Sequence, residues 1–269
     1  MPEMPEVEQV RRTLEPHLKN KMITQVDVLL PRLVKHPSPE NFAKKLCGRT
    51  IQKIVRRGKY LILRTDKGDL VVHLRMTGAL IYCETNSEPP YSKIKFQLDK
   101  GTLWFTDIRT FGTLYFVDDD FAIEGLVTLG PEPLSAGLTA KYLIANAQNS
   151  RKPIKTFILD QTNIAGLGNI YADEALATAC ISPLRAAGTL TKGEWERLVD
   201  AINAVISQVI KNHGTTFRDY KDGDGNKGSN QEHLLVYGRG GEKCRTCGEV
   251  LTKTKVGGRG TVYCRRCQK

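Results

Sequence analysis

The sequence holds no apolar run of roughly 18 residues or more, the length a transmembrane helix requires, so a helical membrane span is not expected. The first residues, MPEMPEVEQVRR, lack the apolar centre of a secretory leader and carry Glu3, Glu6 and Glu8 instead; a reducing, cytosolic setting is expected. Cysteines are few and odd in number, seven in all, which argues against a disulfide framework. Cys47, Cys83 and Cys180 stand singly among apolar neighbours and are read as small core residues. Charge balance is also missing. The chain carries +11 overall, and from Arg239 to Lys269 nine lysines and arginines face only Glu242 and Glu249. A basic stretch of this kind suits a polyanion whose phosphates release counterions on binding, although a solvated tail would carry the same charge.

The remaining four cysteines form C-x2-C, a gap of sixteen residues, and C-x2-C: Cys244 and Cys247, then Cys264 and Cys267. Two such knuckles bring four thiolates onto one ion and leave no open position for water, so one structural zinc is expected. Between them VLTKTKV and TVYC alternate as two short strands, with GGRG at the turn. A hairpin this small cannot bury enough apolar surface to fold without its metal. Arg259, between Gly258 and Gly260, is placed to meet a phosphate.

Residues 5–18 read as a helix with Val7, Val10, Leu14 and Leu18 on one stripe. Seven strand-like segments follow (ITQVDVLL, TIQKIVRR, KYLILRT, DLVVHLRM, KIKFQLDK, TLWFTDI and TLYFVDD), pointing to a β-sandwich or barrel-like domain. After LGPEPLS the periodicity becomes helical in TAKYLIANAQ, PIKTFILDQ, NIYADEALATA and GEWERLVDAINAVISQVIKNHG, the last with Trp195, Leu198, Val199, Ile202, Val205, Ile206 and Val209 on its apolar face. The fold class is therefore α+β. Residues 1–133 are expected to form the β-sandwich, 134–150 a linker, 151–236 a helical domain and 237–269 the zinc finger.

Four places carry chemistry. Small Pro2 after Met1 favours removal of the initiator methionine, which would leave a secondary amine at the start of the chain. An α-amino group titrates near about 8, so it can act as a neutral nucleophile and form a Schiff base with a sugar carbon. Glu3 and Glu6 could shuttle protons there, or merely cap the helix. Lys59, after Gly58 at a strand start, could meet a phosphate or a leaving group, although most strand-edge lysines are simply solvated. Met76, Arg109 and Phe111 fall in the loops HLRMTG and DIRTFG, where large side chains can replace an extruded base or else cap the sheet core. In QTNIAGLGNIYADE, Gly166 and Gly168 allow a tight turn and Asn169 opens a helix, a ready phosphate site.

Together these segments resemble the formamidopyrimidine-DNA glycosylase family, bacterial repair enzymes for 8-oxoguanine. MPEMPEVE, RRGKYLIL, HLRMTG, DIRTFG, LGPEPLS, IAGLGNIYADE, VYGRGGEKC and GGRGTVYCRRC are similar to its motifs, in its order, from Pro2 to Gln268. The resemblance implies a β-sandwich flanked by helices, a helix-two-turn-helix domain and a zinc finger. It implies a bifunctional glycosylase and abasic-site lyase that releases oxidised purines, 8-oxoguanine and formamidopyrimidines, from duplex DNA and cleaves the strand by β,δ-elimination in base excision repair. Pro2 would attack C1′, Glu3 would be the acid/base, and Glu6 would order the site. Lys59, His73, Asn169 and Arg259 would hold phosphates, Lys59 and Arg259 counting also among the catalytic residues, while Met76, Arg109 and Phe111 would fill the gap in the stack. The loop from 218 to 228 would close over the purine. A monomer in the bacterial cytosol or nucleoid, with damaged duplex DNA as partner and no membrane, is expected. The sequence departs from the family at SEPPYS, where a histidine-containing stretch is common, and in the lid, which lacks the frequent aromatic before its glutamine.

Two rivals remain. The related endonuclease VIII, which acts on oxidised pyrimidines, shares the N-terminal proline, glycine turn and zinc hairpin. A DNA-binding protein without catalysis would use the hairpin and glycine turn alone, and would not need Pro2.

Overall fold

The computed structural model describes residues 2–85, 87–118, 120–217 and 220–269, which form two compact units. Met1, whose removal is expected, Asp119 at the end of an expected strand, and Arg218 at the start of the expected lid lie outside the described residues. The first unit comprises residues 1–127 and 212–229, and the second 128–211 and 230–269. Residues 212–229, assigned by sequence to the helical domain, thus group with the first unit.

In the first unit, α1 (Met4–Leu18) precedes β1 (Ile23–Val28), β2 (Val34–His36) and α2 (Pro39–Leu46). Seven more strands follow: β3 (Ile51–Arg57), β4 (Tyr60–Thr65), β5 (Asp69–His73), β6 (Gly78–Cys83), β7 (Ser92–Leu98), β8 (Thr102–Asp107) and β9 (Thr113–Val117), then the short α3 (Glu124–Val127). They form a four-stranded sheet in the order β1-β7-β8-β6 and a five-stranded sheet in the order β2-β9-β5-β4-β3. Both sheets feed one core. Ile94, Phe96, Leu103 and Phe105 from the first meet Leu61, Leu63, Val72 and Leu114 from the second, with Val10 and Leu14 of α1 and Phe42 of α2. This is the β-sandwich with flanking helices that period-two alternation and the stripe on α1 require.

The second unit contains α4 (Ala140–Ala147), α5 (Ile154–Leu159), α6 (Asn169–Thr178) and α7 (Lys192–Lys211), then the hairpin of β10 (Thr252–Val256) and β11 (Arg259–Tyr263). The segment 134–150, read as a linker, carries α4. On α7 the apolar face is buried at Trp195, Leu198, Val199, Ile202, Ile206 and Val209, while Val205 at its margin is half-buried. The reading of the lone cysteines is corrected: Cys47 and Cys180 are exposed and Cys83 is half-buried. An apolar neighbour in sequence does not fix which way a loop or helix-end residue faces. Among the described residues, no helix is long and apolar enough to cross a membrane.

Candidate active site

The start of the first unit is buried. Glu3 precedes α1 and forms a reciprocal capping box with Glu6, whose Oε2 accepts the Glu3 amide at 2.9 Å. Glu3 is 2 % and Glu6 1 % exposed, and Pro2 beside them is buried too. Capping alone does not require burial, since a solvated carboxylate caps as well. The other oxygen of Glu6, Oε1, accepts the Thr215 amide at 2.8 Å. Glu6 thereby joins the N-terminal turn to the segment leading into the expected lid, a connection across 209 residues that sequence reading missed.

From Tyr220 onward that segment is docked on α1. The Tyr220 hydroxyl donates to the Glu6 carbonyl at 3.4 Å, and burial, with Glu6 and Asp222 nearby, pushes the phenol well above its ordinary range. The Gly223 amide donates to Thr13 Oγ1 at 2.8 Å, and Asp224 lies 2.9 Å from His17.

Glu8 links α1 to the turn bearing Lys59. Its carboxylate meets Arg11, Arg12 and Arg56, and Arg56 also donates to the Gly58 carbonyl at 3.0 Å. Burial alone would raise Glu8, but hydrogen bonds from Arg11 and Arg12 and the charges of Arg11 and Arg56 hold it down at about 2. Gly58 has φ +57, the left-handed value that this two-residue turn between β3 and β4 needs at its first position. Lys59 follows, buried, and Tyr60 pairs across the sheet with His73, its ring edge-on at 4.6 Å. His73 Nδ1 accepts the Arg75 amide at 3.0 Å, so Nε2 carries the ring hydrogen. Burial, reinforced by the charges of Arg75 and Lys59, pushes the imidazole down to about 3. His73 is therefore a neutral donor, suited to a phosphate by hydrogen bonding rather than by charge.

The three candidate wedge residues are all exposed at loop tips: Met76 in the β5–β6 turn, Arg109 and Phe111 in the β8–β9 loop. The Arg109 guanidinium lies 4.9 Å over the Phe111 ring, a cation–π arrangement.

In the second unit, Gly166 has φ +86 and Gly168 caps α6, so that Asn169 is its first residue. Gln161 braces this turn, accepting the Gly166 amide at 2.9 Å and donating to the Leu167 carbonyl at 2.8 Å. The Asn169 side chain donates to the Gly260 carbonyl at 3.1 Å, which fastens the glycine turn to the hairpin and brings Asn169 next to Arg259. The hairpin turns at Gly257 and Gly258, φ +56 and +75, a pair of left-handed values that glycine supplies without strain. Arg259 is exposed at the first position of β11. Asn169, Lys253 and Gly260 line a cleft of about 290 Å³ there.

Two buried charges, both missed by sequence reading, position this hairpin. Lys155 of α5 is fully buried and donates to the Gly260 carbonyl at 2.9 Å and Thr261 Oγ1 at 2.8 Å. Its ion-pair partner, Asp173 of α6, accepts the Val262 amide at 3.2 Å; burial lifts this carboxyl to about 6 against the pull of Lys155. Glu174 accepts the amides of Leu235, Val236 and Tyr237 at 2.6, 2.9 and 2.8 Å, fixing the chain that enters the zinc module.

The four cysteine sulfurs Cys244, Cys247, Cys264 and Cys267 lie within 4.8 Å of one another. Cys247 and Cys264 are 3.5 Å apart, near the roughly 3.7 Å separation that a tetrahedral ZnS4 site implies. The Gly248 amide closes one knuckle on the Cys244 carbonyl at 3.0 Å. Four soft donors in a closed set fit one structural zinc. The local core of Val236, Cys244, Leu251, Val262 and Cys264 is too small to hold the module without it.

Comparison with known proteins agrees with this geometry. The formamidopyrimidine-DNA glycosylase N-terminal domain matches residues 1–114, the H2TH domain of the same enzymes residues 129–221, and the zinc finger found in FPG and IleRS residues 241–269. The formamidopyrimidine-DNA glycosylase of Pelotomaculum thermopropionicum is 46% identical over 275 residues, covering 100% of this chain and 99% of the relative. That of Bacillus cereus is 44% identical over 273 residues, covering 100% and 99%. Among solved structures, a Lactococcus lactis FPG variant in complex with Fapy-dG containing DNA superposes with a TM-score of 0.93 at 37% identity, covering 100% of both chains. The MutM (FPG) protein of Thermus thermophilus gives 0.90 at 38% identity, covering 99% and 98%.

Proposed function

The chain belongs to the formamidopyrimidine-DNA glycosylase family, and from that premise we propose how its own residues release a damaged base and open the strand. It is a DNA glycosylase of base excision repair with one structural zinc, and damaged duplex DNA is its partner. The zinc supplies folding energy to the hairpin and no reaction chemistry.

Met76, Arg109 and Phe111 enter the stack as the damaged nucleotide is extruded, offsetting part of the unstacking cost. Lys59, His73, Asn169 and Arg259 hold phosphates. The secondary amine of Pro2, exposed by removal of Met1, attacks C1′; the bond from C1′ to the base breaks, and the leaving base takes up a proton. Glu3 donates a proton to the ring oxygen as the sugar opens, leaving an iminium between Pro2 and C1′. Glu3, now a carboxylate, takes a proton from C2′ as the 3′ phosphate leaves. A second proton passes from C4′ to solvent as the 5′ phosphate leaves, and water then hydrolyses the iminium to free the Pro2 amine. Glu6, held by two main-chain amides, keeps the N-terminal turn in register with Thr215.

The observation that carries this reading is the burial of Glu3 and Glu6 beside Pro2. Sealing two carboxylates at a chain terminus costs folding free energy even where main-chain amides offset part of it, and helix capping alone does not call for that burial. Oxidised purine is the proposed substrate class, because the L. lactis relative is seen with Fapy-dG containing DNA. Borohydride should trap a covalent complex with duplex containing 8-oxoguanine opposite cytosine. Trapping only with oxidised thymine would move the assignment to pyrimidines, and no trapping with the processed chain would leave a binder without catalysis.

A further inference from the structure

The three wedge residues come from two loops far apart in sequence, and a single buried carboxylate ties the loops together. Asp107 ends β8 and is 1 % exposed. Its Oδ1 accepts the Thr77 hydroxyl at 2.6 Å and the Arg109 amide at 3.1 Å, and its Oδ2 accepts the Gly112 amide at 2.8 Å. Thr77 Oγ1 closes the figure by accepting the same Arg109 amide at 2.9 Å. Thr77 follows Met76 directly, while Arg109 and Gly112 bracket the loop that carries Phe111. The loop between them is tightly bent: Thr110 has φ +55 and is held by a hydrogen bond from Arg32 to its hydroxyl. At Gly112 a Cβ would lie 2.4 Å from the buried Phe105 ring, so only glycine can bring its amide to Asp107.

We propose that Asp107 is the positioning residue for base extrusion, setting the spacing of Met76 from the Arg109–Phe111 pair so that the two loops enter the duplex as one wedge. The inference rests on the reading of Met76, Arg109 and Phe111 as the wedge. Three donors converge on one side chain, and only a carboxylate accepts from all of them. An amide of the same shape would turn its NH2 group toward either the Gly112 or the Arg109 amide, so one of the two main-chain donors that hold the Phe111 loop would lose its acceptor on this side chain. The proposed mechanism gives no member of this network a part at the sugar, so its loss should act on extrusion and not on the chemistry that follows.

The test compares Asp107→Asn, Thr77→Val and Thr77→Ser with the triple variant Met76→Ala/Arg109→Ala/Phe111→Ala. Each is measured by single-turnover excision of 8-oxoguanine, by stopped-flow fluorescence of 2-aminopurine beside the lesion, and by cleavage at a preformed abasic site, which has no base to unstack. For Asp107→Asn, excision and the fluorescence phase should both slow by about tenfold or more, and abasic-site cleavage by less than about threefold. Thr77→Val should follow in the same direction, and Thr77→Ser, which keeps the hydroxyl, should behave as the parent chain. If the triple variant slows extrusion and Asp107→Asn does not, the positioning role is wrong and the wedge stands. If the triple variant itself extrudes the base at the parental rate, the wedge reading fails. An equal loss on every substrate by Asp107→Asn, with Thr77→Val unaffected, would reduce Asp107 to a fold-stabilising residue and overturn the inference.

Discussion

The ammonium of Lys155 lies 2.7 Å from Oδ1 of Asp173, and both side chains are sealed from solvent, at 0 % and 1 % exposure. Because each also bonds to the hairpin that carries Arg259, the pair fixes where that arginine stands. Lys155→Ala would leave an uncompensated buried carboxylate, costing about 3–5 kcal/mol. The thermal midpoint should fall, and the salt dependence of duplex binding should flatten by about one phosphate contact. An unchanged salt slope would mean that Arg259 keeps its place without the pair.

Metal analysis should return one zinc per chain, held by Cys244, Cys247, Cys264 and Cys267. Structural zinc contributes on the order of 10 kcal/mol to the folding of such modules, so chelation or Cys267→Ser should abolish duplex binding at physiological salt. Full binding by a zinc-free chain would refute the role given to the hairpin.

His73 and Glu8 should each add stability as pH rises through the acidic range, while Asp173, whose carboxyl is raised to about 6, acts in the opposite sense between 3.8 and 6. His73 ionises near 6.5 when unfolded and at about 3 when folded. Between these values the unfolded chain holds the extra proton, so folding stability is lost as pH falls through that window. Glu8 acts in the same sense lower down, with a folded value of about 2 against 4.5; its contribution is present above 4.5 and lost as pH falls toward 2. Between pH 6.5 and 4 the urea midpoint of the parent chain should fall relative to that of His73→Gln, which lacks the titrating ring. In NMR the His73 ring should not titrate between pH 5 and 8; a midpoint near 6.5 would show the imidazole solvated and charged.

Glycine replacements should split by local space. Gly112→Ala would press a methyl into Phe105, an overpacking cost of about 1–3 kcal/mol. Gly193, in the first turn of α7, has only the far end of Arg197 near, at 4.0 Å, and Gly193→Ala should stabilise by roughly 0.4–1 kcal/mol. Equal urea midpoints for the two variants would contradict the packing described around Asp107.

Local signals made much of this molecule readable in advance. Cysteine spacing gave the zinc module, period-two alternation the strands, and the apolar stripe Val7, Val10, Leu14 and Leu18 the first helix. Strand β6 was not read, because Gly78 and Ala79 dilute its alternation and it adjoins the HLRMTG loop. Helix α2 buries only Phe42 and Leu46, too few apolar positions for a periodic signal. Lys155, Asp173, Glu174 and Asp107 escaped for another reason. A charged residue shows its burial only through its partners, and two of those of Lys155, Gly260 and Thr261, lie 105 and 106 residues away. The exposed loop positions of Met76, Arg109, Phe111 and Arg259 were legible because glycine-bounded loops mark themselves in sequence, whereas the groups that hold those loops do not.

Most direct of all is the mapping of the covalent adduct. The processed chain is reduced with borohydride during reaction with 8-oxoguanine duplex, digested, and sequenced by mass spectrometry. The account predicts the sugar remnant on the nitrogen of Pro2, and poor cleavage with lesion binding retained in Pro2→Gly, whose terminal amine is primary rather than secondary. An adduct on a lysine, Lys59 or Lys155 included, would contradict it.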